Sequence, residues 1–428
     1  MRIILIILVG ILASFFYFPF EFTFLPKGIN TKIMLAMIGL PLMFYHTIKL
    51  QKTVVSKEIL FSSLIALAFS LVGLFSVDIN HSDDYAYANY ISSMWVWLGA
   101  AYTVISLIAA LHKKLSIRLV VNYFIVVCVA QCVLALVIDF VPPVKMFVDR
   151  YFDMGITEFL NKVNRLYGIG AALDVAGVRF SAVLIMITVL LINNPHIKKN
   201  PKEIYFYSFA YLLLVGIGNM ISRTTIIGFA LSAGYLLFSA NIIKQQVENY
   251  NVKMWKVITV SIFTIVCVGI YFYKTNAAIY DLLRFGFEGF FNWAETGEFR
   301  TDSTDRLNTV MWIWPDANDW QTWIIGKATF SNWYAVGTDI GYCRFVFYCG
   351  LVGLSVFIFF FLYLSVALWS KFKTYRHLFL LLFVLALINW LKVSTDIFLV
   401  YAIFLAIGSP YLYERYYDKV EDATEDEV

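Results

Sequence analysis

A small set of charged residues stands at the ends of long apolar runs. Arg165 and Arg179 flank the start of one run, and Arg223 sits in the short turn NMISRTTIIG. Arg300 and Arg306 lie in a tryptophan-rich stretch, Asp339 and Arg344 precede another run, and Lys392 and Asp396 fall in a brief polar break. Ionisable groups at membrane depth are costly, so their default reading is functional. Several arginines gathered at one depth suit an anion, because a guanidinium donates two parallel hydrogen bonds to phosphate oxygens. The same charge stabilises a departing pyrophosphate as its negative charge develops. Arg223 and Arg179 are the leading candidates, with Arg165, Arg300 and Arg306 as further substrate ligands. Asp339 is the first candidate to orient or deprotonate a hydroxyl, and Asp174 the second. Each has a bland alternative. Arg223 could snorkel or cap the preceding helix. Arg179 could be an interface anchor, Arg300 an ordinary solvated charge, and Asp339 and Arg344 a simple pair.

Aromatic residues add a second chemistry. Six of the eleven tryptophans, Trp293, Trp312, Trp314, Trp320, Trp323 and Trp333, lie between residues 275 and 339. Trp293 reads as a membrane-interface residue. The segment WIWPDANDWQTW is more polar than an interfacial belt, and Trp312 and Trp323 offer flat faces suited to the C–H face of a sugar ring. The five histidines form no HxxxH or HExxH pair, so a metal-independent reaction with no cofactor is expected. No GxxxxGK[ST] loop occurs, which argues against direct use of ATP. The five cysteines lie in or beside apolar runs and form no CxxC pair.

The elements that must position these groups follow from composition. Of 428 residues, 61% are hydrophobic and 14% charged, against about 25% charged in a soluble domain. A soluble globule of this size could not hide so much apolar surface. The net charge of +4 suggests no nucleic-acid partner. The pattern predicts an all-α polytopic membrane protein of about twelve spans: 2–19, 31–48, 58–77, 91–111, 118–140, 179–193, 204–220, 224–243, 254–274, 340–369, 377–391 and 394–413. The first, after Met1 and Arg2, reads as an uncleaved span. The tenth is long and is expected to tilt or to begin outside the bilayer. Basic clusters such as Lys49/Lys52/Lys57 and Lys113/Lys114/Arg118 alternate with a loop at 78–90 that has no lysine or arginine. The positive-inside rule then places both termini in the cytoplasm. The resulting parts are spans one to five (1–140), a first long outer loop (141–178), spans six to nine (179–274), a second long outer loop (275–339), spans ten to twelve (340–413) and an acidic cytoplasmic tail (414–428). Within the first loop, Phe152, Ile156, Phe159, Leu160 and Val163 recur at helical spacing, predicting a surface helix over 149–164.

Three stretches resemble the O-antigen ligase/polymerase superfamily of bacterial membrane glycosyltransferases. The segment RLYGIGAALDVAG, from Arg165 to Gly177, is similar to an R-x-x-G…P-N-x-x-G motif; Arg165, Gly168 and Gly177 match, while Asp174-Val175 replace Pro-Asn. SRTTIIGFAL resembles an S-R-[TS] turn. Arg306, Ile325-Gly326-Lys327 and GLVG at 350–353 resemble the closing part of the last large outer loop. Ligases of this superfamily carry a histidine eleven residues before the closing glycine; here that position is Asp339, and DIGY looks like a polymerase pattern. The resemblance therefore implies a Wzy-type polymerase in the bacterial inner membrane. It implies undecaprenyl-diphosphate-linked oligosaccharides as substrates, membrane lipids around the spans and a chain-length regulator as a further partner. In that reading the arginines hold the donor pyrophosphate, an acceptor hydroxyl attacks the anomeric carbon, and Asp339 takes the proton. The rival readings are a ligase that transfers finished polymer to a lipid or protein acceptor, and a twelve-span transporter or lipid flippase. Transporters tend to show internal repeats and midplane charges, and neither pattern is evident in the sequence.

Overall fold

A computed structural model of the chain describes residues 1–50, 55–155, 159–160, 165–239 and 249–419. Among these residues the regular structure is helical, apart from two antiparallel two-residue strands, Glu21–Phe22 and Phe152–Asp153. Eight helices are long and apolar enough to cross a membrane: Thr31–Lys49, Lys57–Ile79, Tyr90–His112, Ile117–Phe140, Leu173–Asn193, Glu203–Ile221, Val252–Thr275 and Gly341–Lys371. Shorter apolar helices cover Arg2–Tyr17, Thr225–Ser239 and Phe398–Ile407. The protein is an all-α, multi-pass membrane protein. Helix is the outcome dictated by lipid, where every backbone N–H and C=O must find a partner within the segment. Side chains close the ends: Ser56 and Ser116 accept from the N–H groups of Ile59 and Leu119.

The Leu173–Asn193 helix is the axis of the bundle. Every residue from Ala176 to Leu191 is buried, including Arg179. The Asn249–Thr275 helix is its opposite, peripheral and largely exposed along an apolar surface. Between these extremes, the Thr31–Leu50 and Tyr90–His112 helices pack tightly together, with the Thr103 hydroxyl donating to the Leu35 carbonyl at 2.8 Å.

The structure departs from the sequence reading at four places. In the first long loop the helix is Pro142–Tyr151, since Pro142 and Pro143 open a helix rather than merely ending a span. The expected surface helix over 149–164 is broken at Phe152. That residue is extended, pairs with Phe22, and joins an aromatic cluster with Phe20 and Phe147 at 5.1 and 6.0 Å. Residues 156–158 and 161–164 of that expected helix lie outside the described residues, while Leu160 is buried beside Val148 and Tyr167. The sixth span begins at Leu173, not 179, because its first turn is too polar to register as apolar. The last run divides into Phe398–Ile407 and Pro410–Tyr416, and residues 391–397 form a turn before it. The acidic run Glu421–Val428 lies outside the described residues.

The long tenth element, Gly341–Lys371, is kinked at Gly350, whose φ of 64° and ψ of −172° are not helical. The kink receives the large loop. The N–H groups of Lys327 and Ala328 donate to the carbonyls of Phe347 and Tyr348 at 2.7 and 3.0 Å. Gly326 and Gly350 sit at this crossing. A Cβ on Gly326 would lie 2.4 Å from the Tyr348 carbonyl, and one on Gly350 would lie 2.1 Å from the Ile324 oxygen.

A carboxylate fastens the same region to the 78–90 loop. Asp84 accepts from the Phe330 N–H at 2.7 Å, the Ser331 N–H at 2.5 Å and the Ser331 hydroxyl at 2.8 Å. Partial burial would raise its pKa, but the Ser331 and Phe330 hydrogen bonds outweigh this and hold it below the usual carboxylate range. The folded value is depressed, so the stabilisation is fully present at neutral pH and fades as pH falls below about 4, the ordinary carboxylate value. Asp84→Ala is expected to cost about 2 kcal/mol. Limited proteolysis should then cut first within 326–333, whereas an unchanged digestion pattern would remove Asp84 from this role.

Candidate functional site

The charged residues of interest are brought together by four segments: the start of the Leu173–Asn193 helix, the Ser222–Thr224 turn, the short helices Ala277–Gly286 and Glu288–Thr296 of the large loop, and the turn at 391–397. The turn can approach the helix because Gly177 faces it; a Cβ there would lie 2.5 Å from the Ser222 hydroxyl. Asp174, five residues before Arg179, accepts from the Ser222 hydroxyl at 3.2 Å and from the Thr224 hydroxyl. Lys392 completes this knot, its Nζ 3.2 Å from the Thr224 hydroxyl and 3.5 Å from the Asp174 carboxylate.

Arg223 projects from the same turn toward the large loop. Its guanidinium pairs with Glu288 and lies 4.5 Å from the centre of the Phe285 ring. Arg165 approaches the same ring, at 5.1 Å. Two guanidiniums therefore share one aromatic face partner, an arrangement that cation–π attraction permits despite like charge. Partial burial pulls the Arg165 pKa below its ordinary value; Asp174 opposes the shift and Arg223 adds to it. Glu288 is itself held in place, with its second oxygen accepting from the Asp302 N–H at 2.8 Å. Arg223 and Lys392 border a cavity of about 170 Å³ whose walls also include Thr224, Thr301, Thr304 and Phe299. Two cations, several hydroxyls and aromatic walls make a pocket that can receive a phosphorylated, hydroxyl-rich group.

Arg179 belongs to a deeper layer. It is 7% exposed, with its guanidinium 5.6 Å from the Phe18 ring and 6.0 Å from the Trp97 ring, and its Nε makes no hydrogen bond among the described residues. Lys32 sits over the same Trp97 ring at 4.4 Å. Beside this layer, an apolar groove of about 730 Å³ runs between the Arg2–Tyr17 and Ile117–Phe140 helices, lined by Ile7, Ile11, Phe15, Val126, Ala130 and Leu134 among others. The helix that forms one wall continues to Tyr17, whose hydroxyl donates to the Arg179 carbonyl at 3.0 Å.

Of the residues singled out in the sequence, Arg165, Asp174 and Arg223 are thus assembled, and Arg179 lies behind them. Arg300 and Arg306 are not part of the assembly. Arg300 is exposed and pairs with Glu298 and Asp305 at 2.9 and 3.0 Å, so it is a solvated loop charge; Arg306 is exposed on the Asp302–Val310 helix. Asp339 is also exposed and accepts from the Trp333 indole N–H at 2.8 Å. Its neighbour Arg344 donates to the Ser394 hydroxyl at 3.0 Å and to the Phe330 carbonyl, so the two do not form an ion pair among the described residues. Trp312, Trp314 and Trp323 make a continuous series, with successive ring centres 5.8 Å apart. Trp312 and Trp314 keep about two-fifths of their surface exposed. Below them, Asp319 caps the Trp320–Ile325 helix, and Lys327 at 2.8 Å, with the Thr322 hydroxyl and N–H, draws its pKa down to about 2.

Sequence reasoning placed Lys392 among the charged residues of interest without a role, and named neither Glu288 nor Lys32 nor Trp97. The contacts of the turn at 391–397 were the part not foreseen. Lys392 reaches Asp174, Ser394 receives Arg344, and the Ser394 carbonyl accepts from Tyr87 at 3.4 Å. Its cluster of Lys392, Ser394, Thr395 and Asp396 between two apolar helices marks the turn in the sequence but not its partners. No family model, curated protein or solved structure matches this chain.

Proposed function

We propose that this protein is a polysaccharide polymerase that joins undecaprenyl-diphosphate-linked oligosaccharide repeat units at the outer face of a bacterial inner membrane. The observation that carries the reading is the meeting of Arg223 and Lys392 on one small pocket, with Arg165 sharing the Phe285 ring with Arg223. Such a pocket suits a lipid diphosphate better than a freely soluble anion, because the apolar groove near Arg179 offers a place for an isoprenoid tail. The chain in this reading makes twelve spans with both termini in the cytoplasm, counting the shorter apolar helices and Arg376–Asn389.

The chemistry follows from the charges. Arg223, Arg165 and Lys392 hold the donor's diphosphate, and Arg179 adds its field from the core. An acceptor hydroxyl attacks the anomeric carbon, and undecaprenyl diphosphate departs into a site already built for an anion. Glu288 occupies Arg223 when no substrate is bound and gives way to the diphosphate. The series Trp312–Trp314–Trp323, exposed at its first two rings, offers stacking faces for sugars of the growing chain. A strain lacking the gene is expected to accumulate lipid-linked single repeat units and to lose its polymer ladder on sugar-stained gels. Restoring the gene should restore the ladder. A deletion strain that still makes full-length polymer, left unattached to its final acceptor, would instead fit a ligase and overturn the proposal.

A further inference from the structure

The turn that carries Lys392 carries a second ionisable group four residues later. Asp396 stands in the same turn as Lys392, partly exposed although Ile397 and Phe398 next to it are fully buried. One of its oxygens accepts from the Phe398 N–H at 2.8 Å. Its other oxygen makes no hydrogen bond, and no cation is within ion-pair distance, among the described residues. The charges that act on it come from two helices, Lys32 from Thr31–Leu50 and Arg179 from Leu173–Asn193; the phenols of Tyr87 and Tyr90 are the other titratable groups around it.

The other carboxylates of the region are committed. Asp174 serves Ser222, Thr224 and Lys392, Glu288 serves Arg223 and the Asp302 N–H, and Asp84 fastens the large loop. Asp339 keeps one oxygen uncommitted, but it stands exposed on the loop without a contact to the Arg223 cluster. Asp396 alone joins the site through the backbone of Lys392. Even fully extended, four residues span at most about 14 Å, within reach of one oligosaccharide whose diphosphate rests on Lys392.

We infer that Asp396 is the catalytic base of the transfer reaction, an assignment that rests on the polymerase reading above. The acceptor's O–H bond breaks and its proton passes to the uncommitted Asp396 oxygen. The oxygen forms a new bond to the donor's anomeric carbon as the bond from that carbon to the phosphate oxygen breaks. The electron pair of the broken bond leaves on undecaprenyl diphosphate. Burial raises the pKa of the Asp396 carboxyl, against the opposing Phe398 hydrogen bond and the charges of Lys32 and Arg179, which makes its carboxylate a stronger proton acceptor.

The test uses the full-length protein in proteoliposomes, with lipid-linked repeat units extracted from the deletion strain as substrate and undecaprenyl diphosphate as the binding probe. Asp396→Asn keeps an oxygen for the Phe398 N–H and is expected to fold. It should bind undecaprenyl diphosphate within about 2-fold of wild type yet polymerise at least ~100-fold more slowly. Asp396→Glu should retain measurable activity. The acid limb of the wild-type pH–rate profile, where the base becomes protonated, should be absent from the residual rate of Asp396→Asn. A wild-type rate in Asp396→Asn would overturn the assignment alone. Loss of diphosphate binding together with activity would also overturn it, in favour of a structural role. A wild-type protein that makes no polymer from these substrates would overturn the polymerase reading itself.

Discussion

Replacing Arg223 with alanine is expected to lower polymer formation by ~10²- to 10³-fold, the loss found when one charge-stabilising donor is removed from a reacting site. Arg223 is only 16% exposed, its guanidinium rests on Phe285, and its anionic partner is Glu288. Removing it takes away a positive charge and also leaves Glu288 unpaired beside the pocket, where it repels an incoming diphosphate. The second effect can be separated from the first. Arg223→Ala with Glu288→Gln should recover part of the lost binding of undecaprenyl diphosphate and little of the rate. Arg223→Lys should also remain well below wild type, because an ammonium cannot reproduce the paired hydrogen bonds of a guanidinium. A normal ladder from an Arg223→Ala strain with normal protein levels would remove this residue from the mechanism.

Gly350→Ala is expected to be the most damaging small change outside the charged cluster. The backbone at φ 64° and ψ −172° lies in a region that is essentially restricted to glycine. The added Cβ would also meet the Ile324 oxygen at 2.1 Å, a backbone atom that cannot move without displacing the Trp320–Ile325 helix. Strain of 1–3 kcal/mol for the conformation and a similar amount for overpacking give a loss of roughly 3 kcal/mol or more. The thermal midpoint of the detergent-solubilised protein reports it. Gly234→Ala is the matched control. It lies inside the Thr225–Ser239 helix with nothing within 4 Å of an added Cβ, so it should be neutral or slightly stabilising. Equal midpoints for the two variants would contradict the proposed crossing.

The helices were legible because their signal is local. Each of the twelve apolar runs contains a helix, and the cap at Ser116 can be read from neighbouring residues. The errors fell where a distant partner decided the outcome. Phe152 fits a helical stripe by spacing, but pairing with Phe22 and packing on Phe20 drew it into a strand. Leu173 begins its helix beside polar residues that a hydropathy window discounts, since the Ser222–Thr224 turn, not lipid, surrounds Asp174.

The site was half legible for the same reason. Charge type and the shared outer position singled out Arg165, Arg223 and Asp174, and the structure assembles them. Nothing local distinguishes Arg300, which pairs within five residues, from Arg223, whose partner Glu288 is 65 residues away. Lys392 reaches Thr224 across 168 residues, a contact set by how the last helices pack on the central one. Asp339 drew attention by its place in a motif, yet its indole partner Trp333 and its exposure come from the fold of the loop.

The central claim is that the pocket bordered by Arg223 and Lys392 performs glycosyl transfer between lipid diphosphates. The most direct measurement reconstitutes the purified protein in proteoliposomes with lipid-linked repeat units as the only other component, and follows product length by mass. The account predicts products two, three and more repeat units long, each still carried on undecaprenyl diphosphate, with one undecaprenyl diphosphate released per bond formed. Unchanged single repeat units, or units that cross the bilayer without joining, would contradict it.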